Sequence, residues 1–334
     1  MSTEREPEGK APRLRIVVMG GGTGTFTVLS GLKLHDVDLS AVVSIADNGG
    51  SSGILRDELG ALPHGDTRRC LVALSSADEI MRRAFNHTFS KEGSLKGHKL
   101  GNLILSGLEE LCGNPLEAVK YAHHILRVQG RVIPVSGQAS NLYAELADGT
   151  LVEGEHAIDE PSDPRAAIER CFLDPSVMAN PDAVDAIRQA DAIVMGPGDL
   201  FTSLIPVLLV EGVVEALCES RAKRILVINL VTKHGETDGY KASDFCRVAE
   251  QYIGPAKLDR IIVNTAEPSP EILKRYEQAK DQLVVDDLGD MPRVFRAPLI
   301  SERTAKKVPG DMVQRSVLRH DPVKLAAAIL AAIS

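Results

Sequence analysis

Three glycine-rich runs have the composition of phosphate-binding loops. They are residues 20–25 (GGGTGT), residues 47–53 (DNGGSSG) and residues 196–203 (GPGDLFTS). Glycine lets the backbone approach a phosphate closely, and the hydroxyl groups supply further donors. The alternative interpretation is that the glycines only form tight turns. The candidate ligand-binding residues of these runs are Gly21, Gly22, Thr23, Gly24, Thr25, Asp47, Asn48, Gly50, Ser51, Ser52, Gly196, Gly198 and Ser203.

The first run matches part of the dinucleotide-binding fingerprint. Gly22 and Gly24 have the required spacing, but Thr27 occupies the position of the third glycine. Asp47 follows at about 20 residues, where an acidic residue that binds a ribose is expected. The pattern therefore predicts a nucleotide diphosphate ligand.

Polar side chains also stand at two predicted helix starts. Asp66 and Arg68 lie in residues 63–69 (PHGDTRR), where they suit phosphate or carboxylate contacts. Alternatively, Asp66 caps the helix and the arginines are solvated. Asn102 is placed to contact a sugar or a base, or to cap its own helix. For residues 235–240 and 319–321, caps or solvated charges are the favoured interpretation.

Several catalytic and metal-binding motifs are absent from the sequence. It contains no G-x-x-x-x-G-K-[ST], no H-E-x-x-H, no G-x-S-x-G, and no Cys or His cluster with metal-ligand spacing. We therefore predict no metal site.

The runs follow short apolar segments that read as buried parallel strands. Strands are predicted at residues 14–19, 39–45, 131–136, 192–195, 224–229 and 260–263, a helix at 25–34, and a helical crossover over 66–125. Residues 142–146 and 151–153 flank an Asp-Gly turn and predict a β-hairpin. The fold class is α/β, a Rossmann-like, doubly wound, mostly parallel sheet with a small β-hairpin excursion. We expect a flexible tail at 1–13 and one nucleotide-binding domain at 14–334, with the excursion around 130–175.

Composition narrows the class of protein. The 334 residues are 44% apolar, have a formal net charge of −8 and include no Trp, which argues against nucleic-acid binding. The five cysteines are odd in number and widely spaced, as in a reducing compartment. No signal peptide is evident before the first strand, and no apolar run reaches the ~20 residues that span a bilayer. We expect a cytoplasmic protein without a membrane span.

Taken in order, the motifs resemble those of the gluconeogenesis factor family. They are residues 20–24, 46–53, 65–68, 101–102, 196–198 and 235–239. The resemblance implies a cytoplasmic protein that binds UDP-N-acetylglucosamine and acts in cell shape and carbon-source adaptation, related to the 2-phospho-L-lactate transferases. It also implies that Arg319 contributes to the ligand site and that Tyr276 lines it. The sequence departs from the family pattern at Asn48, Phe201 and Val207.

Three functions are carried forward. The first is a UDP-sugar-binding regulator that needs no cofactor and has a regulatory protein partner. The second is a phosphotransferase similar to the 2-phospho-L-lactate transferases, in which Asp47 and Asp66 hold Mg²⁺. The third is an NAD(P)-dependent oxidoreductase. We expect a homo-oligomer in each case.

Overall fold

A parallel β-sheet forms the centre of the computed structural model, which describes residues 13–161, 165–278, 281–302 and 318–334. Seven strands build this sheet: β1 (Leu14–Gly20), β2 (Val37–Val43), β3 (Arg131–Pro134), β7 (Ala192–Met195), β8 (Lys223–Val227), β9 (Arg260–Asn264) and β10 (Val294–Ala297). Their order is β10-β9-β8-β7-β1-β2-β3, and every pair is parallel. The predicted α/β fold class is confirmed.

Helices cover both faces of the sheet. Alternate residues of β1 point to opposite sides, so that Ile16 and Val18 pack in one core layer and Val17 and Met19 in the other. The helices are α1 (Gly22–Leu32), α2 (Gly50–Leu59), α3 (Gly65–Leu74), α4 (Glu79–Asn86), α5 (Leu100–Cys112), α6 (Pro115–Leu126), α7 (Glu155–Asp159), α8 (Pro181–Gln189), α9 (Ile205–Leu208), α10 (Val213–Glu219), α11 (Ala242–Ile253), α12 (Pro270–Gln278) and α13 (Pro322–Ile333). A π-helical turn at Leu200–Leu204 precedes α9.

A small antiparallel sheet forms the excursion. Strands β4 (Asn141–Leu146) and β5 (Leu151–Glu153) pair as the predicted hairpin. A third strand, β6 (Ile168–Asp174), pairs with the other edge of β4 and was not predicted. Only Ile168 and Cys171 of β6 are buried, so its sequence lacks the regular alternation that marks a half-buried strand.

Other boundaries differ from the sequence prediction. Helix α1 begins at Gly22 rather than at residue 25, so that glycines expected in the preceding loop form its first turn. The second run remains a loop only as far as Gly49, because α2 begins at Gly50. Strand β10 was missed since it is short, half-exposed and at the edge of the sheet. The predicted tail, residues 1–13, lies outside the described residues except for Arg13.

None of the helices in the described part of the chain is both long enough and apolar enough to span a membrane.

Candidate functional site

The glycine loops that follow β1 and β7 touch each other at the carboxyl edge of the sheet. A Cβ atom placed on Gly24 would lie 1.9 Å from the carbonyl oxygen of Pro197, and one placed on Gly198 would lie 3.6 Å from the carbonyl oxygen of Gly21. Only glycine therefore fits at position 24. The side chain of Asn229 fixes the second loop, since it accepts from Gly198 N at 3.1 Å and donates to Gly198 O at 2.8 Å.

The hydroxyl groups of the two loops differ in burial and in the part of the structure that they face. The Oγ of Ser203 would lie 3.5 Å from a Cβ on Gly21 and 3.7 Å from one on Gly22, so it faces the first turn of α1. Thr23 is half-buried in that turn. Thr25 is fully buried, and its Oγ1 has no hydrogen-bond partner among the described residues, so this hydroxyl lies beneath the loop. Gly196 lies next to the end of β8, because its added Cβ would be 3.3 Å from Val227 O.

The second glycine run meets the start of α3. A Cβ placed on Gly65 would lie 1.9 Å from Asp47 Oδ2 and 2.7 Å from Ser52 Oγ. Asp47 Oδ1 accepts from Gly49 N at 3.0 Å, which orients the carboxylate. Asn48 Oδ1 accepts from His156 N at 2.8 Å, so the loop also holds the start of α7. Gly50 opens α2 with φ of +47°, a conformation that favours glycine.

A buried polar network links this run to α3 and α5. Arg68 is 2% exposed and donates from Nε to Asn102 Oδ1 at 2.9 Å and from a terminal nitrogen to Asn86 Oδ1 at 2.6 Å. Asn102 Nδ2 donates to Ser51 Oγ at 3.2 Å and to Ser52 Oγ at 3.3 Å. The alternatives of a solvated Arg68 and a capping Asn102 are therefore wrong. Helix α5 begins at Leu100, and Lys99 is its N-cap.

Asp66 is also not the N-cap of its helix, because that position belongs to His64. Its carboxylate is buried against the first glycine loop, where a Cβ on Gly21 would lie 2.0 Å from Oδ2. It accepts from Gly22 N and pairs with Arg69 at 3.1 Å. Burial raises the pKa of Asp66 to about 6, Arg69 opposes this shift, and the Asp47 charge adds to it.

Glu155, the first residue of α7, brings a third carboxylate to the same place. A Cβ on Gly49 would lie 3.7 Å from Glu155 Oε2. Burial, followed by repulsion from Asp47, holds the pKa of Glu155 well above its usual value. The sequence prediction missed Glu155, since it lies in the excursion, far along the chain from the glycine runs. Only the turn-forming Gly154 before it, with φ of +90°, marks the position.

A second acidic group lies beside the third glycine loop and was also missed. It comprises Asp159, Asp199 and Glu236, with Lys233 among them. Glu236 was interpreted as a cap or a solvated charge, but it is only 4% exposed, and that interpretation is wrong. Burial and the Asp199 charge raise the pKa of Glu236 to about 8. The prediction of no metal site rested on Cys and His spacing, which carries no signal for a carboxylate cluster drawn from separate loops.

Tyr276 and Arg319 lie apart from the glycine loops in sequence and belong to another part of the carboxyl edge. Tyr276 is buried in a small cluster with Leu230 and Leu318, and its hydroxyl oxygen accepts from Leu318 N at 2.6 Å. Arg319 is half-buried, and its carbonyl oxygen accepts from Ser301 N at 2.9 Å. The cluster includes Leu230, which lies in the segment that continues β8.

Comparison with known proteins gives concordant matches. Residues 16–304 match the family model described as 2-phospho-L-lactate transferase CofD. The gluconeogenesis factor of Bacillus subtilis is 36% identical over 327 residues, which cover 96% of this chain and 98% of that protein. The gluconeogenesis factor of Halalkalibacterium halodurans is 38% identical over 318 residues, 94% of this chain and 95% of that one. A crystal structure of a Bacillus halodurans protein, described as a member of the upf0052 family, superposes with a TM-score of 0.88 at 36% identity, covering 96% of this chain and all of that one.

Proposed function

This chain belongs to the CofD family and, within it, to the gluconeogenesis factors, and on that premise we propose that it is a cytoplasmic regulator that binds a UDP-sugar, UDP-N-acetylglucosamine. We propose further that it supports cell morphogenesis and growth on gluconeogenic carbon sources through a regulatory protein partner. The binding of the nucleotide sugar is the first step of this function, and the residues of the carboxyl edge carry it.

The observation that supports the proposal best is the contact between the glycine loops of two neighbouring strands. The backbone of residues 21–24 approaches that of residues 197–198 without intervening side chains. The first turn of α1 opens there, and a helix start favours phosphate through its free N–H groups and its positive dipole end. In this arrangement Gly21 and Thr23 bind the diphosphate and Ser203 contributes its hydroxyl group, while Gly22, whose N–H donates to Asp66, shapes the turn between them.

Asp47 is the residue that we assign to the ribose. Asp47 lies in the segment after β2, the strand that pairs with β1 in the sheet. In folds of this kind, an acidic side chain at that place accepts hydrogen bonds from ribose hydroxyl groups. Asp47 Oδ1 is held by Gly49 N, so the carboxylate is oriented in advance. The network of Arg68, Asn102, Ser51 and Ser52 holds the loop that carries Asp47 and does not itself need to contact the ligand.

The experiment is isothermal titration calorimetry of the full chain with UDP-N-acetylglucosamine, UDP and NADP, with and without Mg²⁺. We expect UDP-N-acetylglucosamine to bind more tightly than the other two. Asp47→Asn keeps the bond from Gly49 N and removes the charge, and we expect it to weaken binding about tenfold, the effect of losing one charged hydrogen bond. Asp287→Asn, on an exposed loop, is the matched control. Binding of UDP-N-acetylglucosamine no tighter than NADP would end the proposal, and preferential NADP binding would favour the oxidoreductase.

A phosphotransferase is the second candidate, and the convergence of Asp47, Asp66 and Glu155 favours it. Negative carboxylates next to a diphosphate repel it unless a cation lies between them. The charge of Asp47 acts on the carboxyl group of Asp66, and Asp47 Oδ2 lies at Gly65, the residue before Asp66. Asp47 and Asp66 are therefore the side chains that would hold a Mg²⁺ ion. When bound, Mg²⁺ would offset the charge of the phosphates.

A measurement of ligand turnover distinguishes the phosphotransferase from the regulator. Consumption of ligand that requires Mg²⁺, and that is lost in Asp47→Asn while binding remains, would support the transferase. An absence of turnover in the parent protein would end it and leave the regulator.

A further inference from the structure

A group of three carboxylates, none of them Asp47 or Asp66, lies beside the loop that follows β7. One carboxylate oxygen from each of Asp159, Asp199 and Glu236 lies within 4.8 Å of the others. The three come from different elements, because Asp159 ends α7, Asp199 precedes the π-helical turn and Glu236 follows β8. Carboxylates at this separation repel one another, so the fold brings them together against a substantial electrostatic cost.

Glu236 shows that this cost is only partly offset by the protein. The side chain is 4% exposed. Its Oε1 accepts from Phe201 N at 2.9 Å, from Thr202 N at 3.1 Å and from Thr202 Oγ1 at 3.1 Å. Its Oε2 is buried and, across the described ranges, has no hydrogen-bond partner. A buried carboxylate oxygen without a donor is unfavourable, and either a proton or a bound cation would satisfy it.

Lys233 supplies one positive charge to the group. Its Nζ donates to Asp159 Oδ1 and lies 3.6 Å from Asp199 Oδ2. The Lys233 ammonium group lies between these two carboxylates, so it offsets part of their charge. When all three carboxyl groups are ionised, they and the Lys233 ammonium group carry two net negative charges, which a divalent cation would balance. The guanidinium group of Arg165 acts on Glu236 and Asp159 as a further positive charge. Carboxylate oxygens suit Mg²⁺ and Mn²⁺, and each ion completes its shell with water.

We propose that Asp159, Asp199 and Glu236 form a binding site for a divalent cation of the Mg²⁺ or Mn²⁺ class, with Glu236 Oε2 as a ligand. The ammonium group of Lys233 competes with the cation for Asp159 and Asp199. This site goes beyond the proposed function, because it needs no nucleotide and uses neither Asp47 nor Asp66. Its failure therefore leaves the nucleotide-sugar proposal intact, and the reverse also holds.

The test is electron paramagnetic resonance with Mn²⁺, in which free ion is measured during titration of the cation-stripped full chain without nucleotide. We expect saturable Mn²⁺ binding to the parent protein. Glu236→Gln keeps the Oε1 acceptor and replaces Oε2 by a donor, and we expect at least a tenfold loss of affinity. Asp199→Asn, on a half-exposed side chain, should have the same effect and is the variant that folds most readily.

Lys233→Met is the most decisive variant. Because the ammonium group competes with the cation for the carboxylates, its removal should increase Mn²⁺ affinity. Removing the ammonium ion should raise Mn²⁺ affinity at least about tenfold, because a like charge within a few ångströms opposes the cation. Asp287→Asn is the control and should leave binding unchanged. The proposal is overturned if neither the parent nor Lys233→Met binds Mn²⁺. It is also overturned if Asp66→Asn abolishes binding while Asp199→Asn does not, which would assign the ion to the other pair.

Discussion

Replacing Gly24 by alanine tests whether the contact between the two glycine loops forms the ligand site. Gly24 lies in the first turn of α1, and its φ does not require glycine. Alanine would therefore stabilise the helix by about 0.5–1 kcal/mol if nothing else changed. The new Cβ, however, would lie 1.9 Å from Pro197 O. Non-bonded heavy atoms need about 3.5 Å, so the loops must separate by about 1.6 Å.

The expected result is a small loss of stability and a large loss of binding. Overpacking of this kind costs about 1–3 kcal/mol, which urea unfolding measures. A displacement of that size breaks hydrogen bonds from both loops to one diphosphate, so we expect UDP-N-acetylglucosamine affinity to fall at least about a hundredfold in calorimetry.

Gly107→Ala is the matched control for this substitution. Gly107 lies within α5, and a Cβ there would meet nothing within 4 Å. This variant should be about 0.5–1 kcal/mol more stable than the parent and bind the ligand equally well. A Gly24→Ala protein that is as stable as Gly107→Ala and binds like the parent would refute the reasoning.

Three further predictions concern the buried groups. Asn102→Ala removes the acceptor of Arg68 Nε, and we expect unfolding free energy to fall by about 2–3 kcal/mol in urea; a change below 0.5 kcal/mol would contradict the buried network. Burial lowers the pKa of His320 to about 4, so its neutral form is favoured in the fold, and the stability it contributes above pH 6.5 is lost as the pH falls toward 4. Unfolding between these pH values should show a loss of up to about 3 kcal/mol that His320→Gln removes, and an unchanged pH slope in that variant would refute the assignment. Leu105→Ala should lower the free energy of unfolding by about 2–5 kcal/mol and Leu111→Ala by less than about 0.5 kcal/mol. The first side chain is 0% exposed and the second is 84% exposed on the same helix. Equal melting temperatures of the two variants would contradict this packing.

The parallel sheet could be predicted because its strands are apolar on both faces. Residues 16–19 and 192–195 form uninterrupted apolar runs that are followed by glycine, and they form the neighbouring strands β1 and β7 in the middle of the sheet. Strand β6 lacked such a run, since Glu169 and Arg170 face solvent. A long apolar run therefore allows a strand to be predicted from the sequence. A short strand that pairs with the edge of a hairpin lacks such a run, so the sequence does not reveal it.

The sequence marks candidate site residues only where one loop carries its own signal. Asp47 and Gly24 stand in glycine-rich runs. Glu155, Asp159 and Lys233 stand in ordinary polar segments, and only the excursion sheet and the loop after β8 bring them together. The sequence also left Arg68 ambiguous, because a guanidinium at a helix start is solvated in most proteins. Its burial depends on Asn86 and Asn102, which tertiary packing supplies.

The pairing of β1 with β7 has a consequence for how the chain reaches its native state. Met19 lies opposite Met195, so β1 finds its neighbour β7, the central strand of the sheet, only after more than half of the chain has been made. Until then, β1 exposes an unpaired edge, the kind of surface that templates association with other chains. Contacts of such long sequence separation also slow folding. The contact between the glycine loops that follow β1 and β7 therefore forms late, and a ligand that binds there would stabilise only the fully folded protein.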